Sequence, residues 1–449
     1  MTQTLQWFGS SGIRGPLETV DVELALRLGR AVGHRWDDLV VGRDARLSGP
    51  ALEAAFIAGA LSSGARITRL GTVPTPAVAW AARHHALGVQ VTASHNPAPD
   101  NGFKLWTPSG SAVPHDALFA IENDMEHPPP LVPYEQVGLS ETAPEALDRY
   151  IDAVLSHVGT DALAGMHIAL DCAHGAGALA TPRILARLGA RLRVLGGAPD
   201  GRFPDHPSEP VAEHLEGLIG IMRSGGHDLG LAHDGDADRT VLLHPDGSLI
   251  EPVRLLTVIA EVRGDDKVAL PIDASGVFAD THPDKEVVVT PVGDIHLSRA
   301  LETQGATAAC EPSGTWFFSD WSPAPEGPAA AAYLAALIAD DPAILERVAA
   351  LPEYQRRTHK HRWSGGLGRS EALERVMMAA DRAAEGLGDV TRSDVDGVRL
   401  DSPDGWLLIR PSGTEPVVRV TAEAQSADRS DTLLSLGRKA VEAHFGEAA

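Results

Sequence analysis

Cysteine is almost missing from this chain. Cys172 and Cys310 are the only two, and they form no Cys-x-x-Cys pair, which excludes a disulfide framework and a cysteine-based zinc site. Lysine is nearly as scarce: it stands only at 104, 267, 285, 360 and 439, so arginine supplies most of the positive charge. No apolar run reaches the length of a membrane span, and the first residues, Met1 to Trp7, show no charged leader followed by an apolar stretch. The expectation is a cytoplasmic protein with no membrane partner.

What is plentiful is acid. A net charge of −23 argues against nucleic acid and anionic membranes as partners. The same balance, with many small alanines, suits a salt-rich cytoplasm, where screening removes self-repulsion. At 449 residues the chain has room for several domains, and 45 glycines and 32 prolines fit a loop-rich α/β protein.

The acid is concentrated most tellingly in Asp234-Gly-Asp-Ala-Asp-Arg239, set between the apolar stretches 229–233 and 240–243. Those stretches read as two strands, which hold the loop at a sheet edge. Asp234, Asp236 and Asp238 alternate with small residues, so three carboxylates can converge on one ion. Oxygen-only ligands suit Mg²⁺ before Ca²⁺. A solvated Asp/Gly turn is the alternative. An EF-hand fits poorly, because no Glu closes a twelve-residue loop.

From the start of the chain, Phe8-Gly-Ser-Ser-Gly-Ile-Arg-Gly-Pro16 packs glycines around Arg14, which it can present to an anion. Residues 22–32 have helical spacing, 40–41 read as a strand and 42–46 as a polar loop. A helix runs from about 48–50 to 60, with strands at 66–70 and 87–92 and a helix at 74–82. This alternation implies a mostly parallel sheet with ligand loops at the carboxyl ends of its strands. One such loop is Thr92-Ala-Ser-His-Asn-Pro97, followed by Asn101-Gly-Phe-Lys104. It reads either as a plain Asn-Pro turn or as a site in which Ser94 carries a phosphoryl group, offset by a cation and by Lys104 or Arg239. Adjacency and the lack of a GxSxG elbow argue against a Ser94–His95 hydrolase pair.

A second unit starts with a strand at 166–171 and a glycine turn at 173–177, which lacks the full dinucleotide pattern. A turn-rich linker spans 196–210, 211–223 reads as helical, and 244–248 reads as a hairpin turn with Gly247 at positive φ. A third unit opens with a helix at 252–262 and brings a strand at 306–309 into Glu311-Pro-Ser-Gly-Thr-Trp316. Glu311, Ser313 and Thr315 can grip sugar hydroxyls, although a turn fits too. Residues 358–368 read as an exposed connector. A smaller last domain carries Arg410-Pro-Ser-Gly-Thr-Glu-Pro416 before a strand with Arg419, an oxyanion cradle or a surface salt-bridge turn.

The four motifs beginning at Thr92, Asp234, Glu311 and Arg410, in that order, with the opening Phe8 stretch, resemble the α-D-phosphohexomutase superfamily over essentially the whole chain. The resemblance implies an α/β protein of four domains around a central cleft. Three are topologically similar mixed-sheet α/β domains (1–148, 149–250 and 251–355), and the fourth is a smaller C-terminal α+β domain (356–449). It implies a phosphoserine at Ser94 and one Mg²⁺ per chain on Asp234, Asp236, Asp238 and the Ser94 phosphate. Arg14, His95, Lys104 and Arg239 would surround the transferred group, with Lys104 the candidate proton shuttle. Glu311, Ser313 and Thr315 would bind sugar, and Arg410, Ser412, Gly413, Thr414 and Arg419 the non-reacting phosphate. The implied reaction interconverts hexose 6- and 1-phosphates through an enzyme-held hexose 1,6-bisphosphate. Thr315 replaces the histidine of bacterial members, and the loop is more similar to archaeal ones. Glucosamine phosphate is the expected substrate, with mannose or glucose phosphate the alternative. A Mg²⁺-dependent sugar-phosphate phosphatase and an inactive sugar-phosphate-binding paralogue are the readings from other classes. Monomer and dimer both stay open.

Overall fold

The computed structural model describes residues 5–9, 12–363, 368–412 and 417–446. Four sheets succeed one another along the chain, and the first three share a plan. In each, a central strand has a parallel neighbour on either side. Asp38–Arg43 lies between Arg66–Thr72 and Leu87–Val91, and His167–Asp171 between Arg191–Leu195 and Leu229–His233. Lys267–Pro271 lies between Glu286–Thr290 and Ala308–Cys310. The chain then turns back into an antiparallel strand: Asp100–Trp106, Thr240–Leu243 or Trp316–Phe318. One further antiparallel strand closes that edge each time: Ile13–Pro16, Leu249–Ile250 or Ser322–Glu326. Leu87–Val91 and Leu229–His233 are buried along their whole length, as parallel strands covered on both faces must be.

The three units are fused through one core. Val78 and Tyr150, Leu231 and Ile184, Leu256 and Trp316 belong to a single apolar cluster. The fourth sheet is antiparallel throughout, ordered Gln355–Arg362, Val417–Ala424, Gly405–Pro411, Val398–Ser402, Thr391–Ser393. Helices Arg369–Leu387 and Ala427–Phe445 pack with this sheet around a separate core. It meets the third unit at a polar seam. Arg399 donates to the carbonyls of Ile272 and Ala274 at 2.7 and 3.0 Å while its guanidinium lies 4.2 Å from the Trp406 ring centroid. Glu423 accepts from Ser275 Oγ, Gly276 N and Trp406 Nε1.

Two local expectations are corrected. Residues 355–362 form a full strand paired with Val417–Ala424, where the sequence reads as a connector from 358. The strand sits at the sheet edge, and its charged residues are the kind that keep an edge from pairing further. The helix expected over 211–223 begins at Glu216, because 211–215 are taken up by turns. Asp100–Trp106, for which the sequence raises no expectation, is a strand. Gly247 does take a positive φ of 84° in its hairpin. No single helix among the described residues is long and apolar enough to cross a membrane.

Candidate functional site

The shared plan puts three connections in equivalent places. Residues 92–99, 234–239 and 311–315 each join the last parallel strand of a sheet to its first antiparallel strand. Three motifs far apart in sequence thus occupy one position in a repeated topology, and the contacts below show them meeting.

Ser94 is fully buried with φ at 52°, a left-handed conformation that costs a non-glycine residue about 1 kcal/mol. Its Oγ donates to Asp234 Oδ2 at 2.6 Å and lies 3.4 Å from Asp238 Oδ1 and 3.5 Å from His95 Nδ1. The acidic loop packs straight onto the serine backbone: a Cβ at Gly235 would stand 2.7 Å from the Ser94 carbonyl oxygen, so only glycine fits. Burial, then the charges of Arg239, Arg14 and Lys104, push His95 down to about 2, which keeps its ring neutral.

Lys104 reaches the same place from the strand Asp100–Trp106. Its Nζ lies 2.9 Å from Asp236 Oδ2 and also pairs with Asp238. Burial alone would depress this ammonium, but Asp236 and Asp238 outweigh burial and hold it above its usual range. Thr75, from the first unit, clasps Asp236 twice: Oγ1 donates to Oδ2 at 2.5 Å and the backbone N–H to the Asp236 carbonyl at 2.9 Å. Burial and the neighbouring charges of Asp238 and Asp236 drive the Asp234 carboxyl well above the ordinary carboxylate range. For Asp236 burial acts upward, but Lys104 and Thr75 prevail and hold it below that range.

These carboxylates fit a divalent cation. One oxygen from each of Asp234, Asp236 and Asp238 lies within 4.8 Å of the others, all three residues are buried, and Asp236 Oδ1 has no hydrogen-bond partner among the described residues. Oxygen-only donors of this charge suit a hard ion such as Mg²⁺. A phosphoryl group on Ser94 Oγ would add negative charge beside three carboxylates, which demands that ion and the cations around it.

Arg239 follows the acidic loop, 4.0 Å from Asp238, and bridges to Thr315 backbone-to-backbone. The loop 311–315 is thereby seated against the second unit, with Thr240 N donating to the Gly314 carbonyl and Trp316 Nε1 to the Thr240 carbonyl. Glu311 accepts from Ser313 Oγ and Gly293 N, and Ser313 Oγ lies 3.3 Å from Thr315 Oγ1. Burial and the nearby Asp294 push the Glu311 carboxyl up to about 7, against the pull of Arg239. Arg14 pairs through its strand with Gly102, and its charge is felt at His95 and Asp236.

Arg410 and Arg419 stand opposite each other across two strands of the last sheet. Arg410 pairs with Asp396 at 2.7 Å, and Asp396 also accepts from Val292 N of the third unit. No direct contact joins these two arginines to Ser94 among the described residues. Ser412 donates its backbone N–H to the Val417 carbonyl, and Gly413 and Thr414 lie outside the described residues.

Sequence reasoning passed over Thr75, Asp44, Arg46 and Glu122. Glu122 accepts from the backbone N–H groups of Gln6, Trp7 and Phe8 and so tethers the segment leading to Arg14. Only the polar stretch at 42–46, at the end of an apolar strand, gave a sign.

The sequence matches four descriptions: phosphoglucomutase/phosphomannomutase alpha/beta/alpha domain I over residues 5–129, domain II over 148–247, domain III over 257–354, and the C-terminal domain over 369–435. A protein of Methanocella arvoryzae named as a probable phosphoglucosamine mutase is 37% identical over 429 residues, 95% of this chain and 96% of that protein. One of the same name from Methanosarcina barkeri is 36% identical over 441 residues, 97% and 98% of the two chains. A solved phosphoglucomutase/phosphomannomutase family protein from Burkholderia thailandensis superposes with a TM-score of 0.88 at 26% identity, covering 99% of each chain.

Proposed function

This chain belongs to the phosphoglucomutase/phosphomannomutase family and is an isomerase of sugar phosphates, and from that premise we propose that it interconverts glucosamine 6-phosphate and glucosamine 1-phosphate through a phosphoserine at Ser94. The observation that carries this reading is the contact of Ser94 Oγ with Asp234 at 2.6 Å inside a buried triad that Lys104 also joins. Family members depend on Mg²⁺. Asp234, Asp236 and Asp238, with the Ser94 phosphate, would hold one ion per chain, which supplies charge stabilisation to the transferring oxygens.

The rest is the work of the chain's own residues. Phospho-Ser94 gives its phosphoryl group to the free hydroxyl of the hexose phosphate: the P–Oγ bond breaks as the new P–O bond to sugar forms. Lys104, held as an ammonium by Asp236 and Asp238, is the candidate proton shuttle: it gives a proton to the departing Oγ and takes the hydroxyl proton in its place. Arg14 and Arg239 face the shared charge, and His95 borders Oγ. The bound hexose 1,6-bisphosphate then turns end for end, and its other phosphate returns to Ser94. Glu311, Ser313 and Thr315 hold sugar hydroxyls in both orientations. Arg410, Ser412, Gly413, Thr414 and Arg419 take whichever phosphate is not reacting. A second phosphate cradle favours a mutase over a phosphatase, which needs one. The enzyme would act in the cytoplasm, with hexose 1,6-bisphosphate recharging Ser94 when the intermediate escapes.

Ser94→Ala should lower interconversion by on the order of 10⁴-fold with the fold intact. Undiminished turnover would end the phosphoserine reading. A panel of glucosamine 6-phosphate, mannose 1-phosphate and glucose 1-phosphate with Mg²⁺ tests the substrate. Good rates on mannose and glucose with none on glucosamine would replace the amino sugar.

A further inference from the structure

Beneath the serine loop lies a buried cation that touches none of the reacting groups. Arg46 is 2% exposed. Nη1 donates to the carbonyls of Pro97 and Asp100 at 2.6 and 2.9 Å, and Nη2 to those of Ser94 and Asn96 at 2.7 Å each. Nε pairs with Asp44 Oδ2 at 3.1 Å, so all five guanidinium N–H groups are engaged. Asp44 Oδ2 also accepts from Thr92 Oγ1 at 2.7 Å, and Thr92 Oγ1 accepts from Ser94 N at 2.9 Å. Both backbone polar groups of Ser94 are therefore tied to Arg46, the carbonyl directly and the N–H through Thr92 and Asp44. Four carbonyl oxygens converging on one point would repel one another without that cation. The second unit caps it: the Arg46 guanidinium lies 5.2 Å from the Phe203 ring centroid, and a Cβ on Gly201 would stand 2.5 Å from Arg46 Cα.

We propose that Arg46 is a positioning residue for Ser94: its five-donor clamp sets the left-handed backbone that aims Oγ at Asp234, and so governs the rate of phosphoryl transfer rather than affinity for sugar phosphate. This rests on Ser94 being the phosphoryl carrier. Lysine cannot replace the clamp, since it has three donors and no planar fork. Small displacements of a reacting group carry large penalties in rate, which is why an indirect contact matters here.

The test compares Arg46→Lys, Arg46→Ala and Ser94→Ala in the full chain, measuring kcat, KM and the rate at which hexose 1,6-bisphosphate loads phosphate onto Ser94 by intact mass. Arg46→Lys should lower kcat and the loading rate together by about 10–100-fold, with KM changed less than about twofold. Guanidinium ion at low millimolar concentration should restore part of the rate in Arg46→Ala and none in Ser94→Ala, an outcome that general loosening would not give. A folded Arg46→Lys with normal kcat, a change confined to KM, or no guanidinium rescue overturns the proposal. Should both Arg46 variants fail to fold, Asp44→Asn and Phe203→Leu take their place, with lowered kcat at constant KM expected and normal kcat in both overturning it. An active Ser94→Ala would instead remove the phosphoserine reading, so the two failures are distinct.

Discussion

Glu326 lies one residue before Gly327, which packs against the backbone of the acidic loop, and it accepts from Tyr150 Oη and Trp321 Nε1 at 2.8 Å each. Burial pushes its carboxyl from an ordinary 4.5 up to about 7, more than those two donors pull it down. The unfolded chain therefore releases this proton first as pH rises. The contribution of Glu326 to stability is whole below pH 4.5 and is lost as pH climbs through about 7, a change on the order of 3 kcal/mol. Glu326→Gln mimics the neutral acid. Denaturant unfolding of both proteins from pH 5 to pH 8 should show the wild type losing ground to the variant; parallel curves would mean an ordinary carboxylate. At this scale the sequence was uneven. Ser94, Lys104 and the three aspartates were legible because each sits in a motif whose chemistry is local. Thr75, Arg46 and Glu122 were not, since each acts on backbone or carboxylate groups far along the chain and leaves no spacing to read.

The acidic loop is the element whose energetics depend most on what it binds. Asp234 is the carboxyl most disfavoured as an anion here, so its neutralisation should be harmless until a cation is present. Without Mg²⁺, Asp234→Asn should unfold at the wild-type temperature or slightly above it. With saturating Mg²⁺ the wild type should gain about 2–5 °C and the variant almost nothing. Equal gains in both would show that the ion binds elsewhere. The strands flanking this loop were readable as apolar runs, whereas Asp100–Trp106 was hidden by Asn101-Gly102. Gly102 marks no turn: a Cβ there would meet the Ile13 carbonyl oxygen at 2.1 Å and that of Thr92 at 2.5 Å, so the residue serves close strand approach. Turn chemistry and tight packing select the same amino acid, and one sequence does not separate them.

For the whole molecule, the α/β class followed from the alternation of strands and helices. The likeness of the three units did not, because register and strand order leave no mark on periodicity; the resemblance supplied it. The seam between the third and fourth units was equally invisible, being made by isolated residues such as Arg399, Trp406 and Glu423. If the last unit retains the bisphosphate while it turns, loosening that seam should raise escape. Arg399→Ala should therefore dephosphorylate itself during turnover and depend on added hexose 1,6-bisphosphate more than the wild type does. The ratio of rates with and without that additive measures it, and an unchanged ratio would assign retention to other contacts.

The hydroxyl of Ser94 meets Asp234 across 140 residues of sequence, and the acidic loop seals against the serine backbone with no room for a side chain. A ribosome that has released only the first unit has thus made a serine whose hydroxyl lacks its carboxylate partner. The contact forms only when the second unit closes over the first, so the nascent chain lacks it until Asp234 and the strands that hold it have been made.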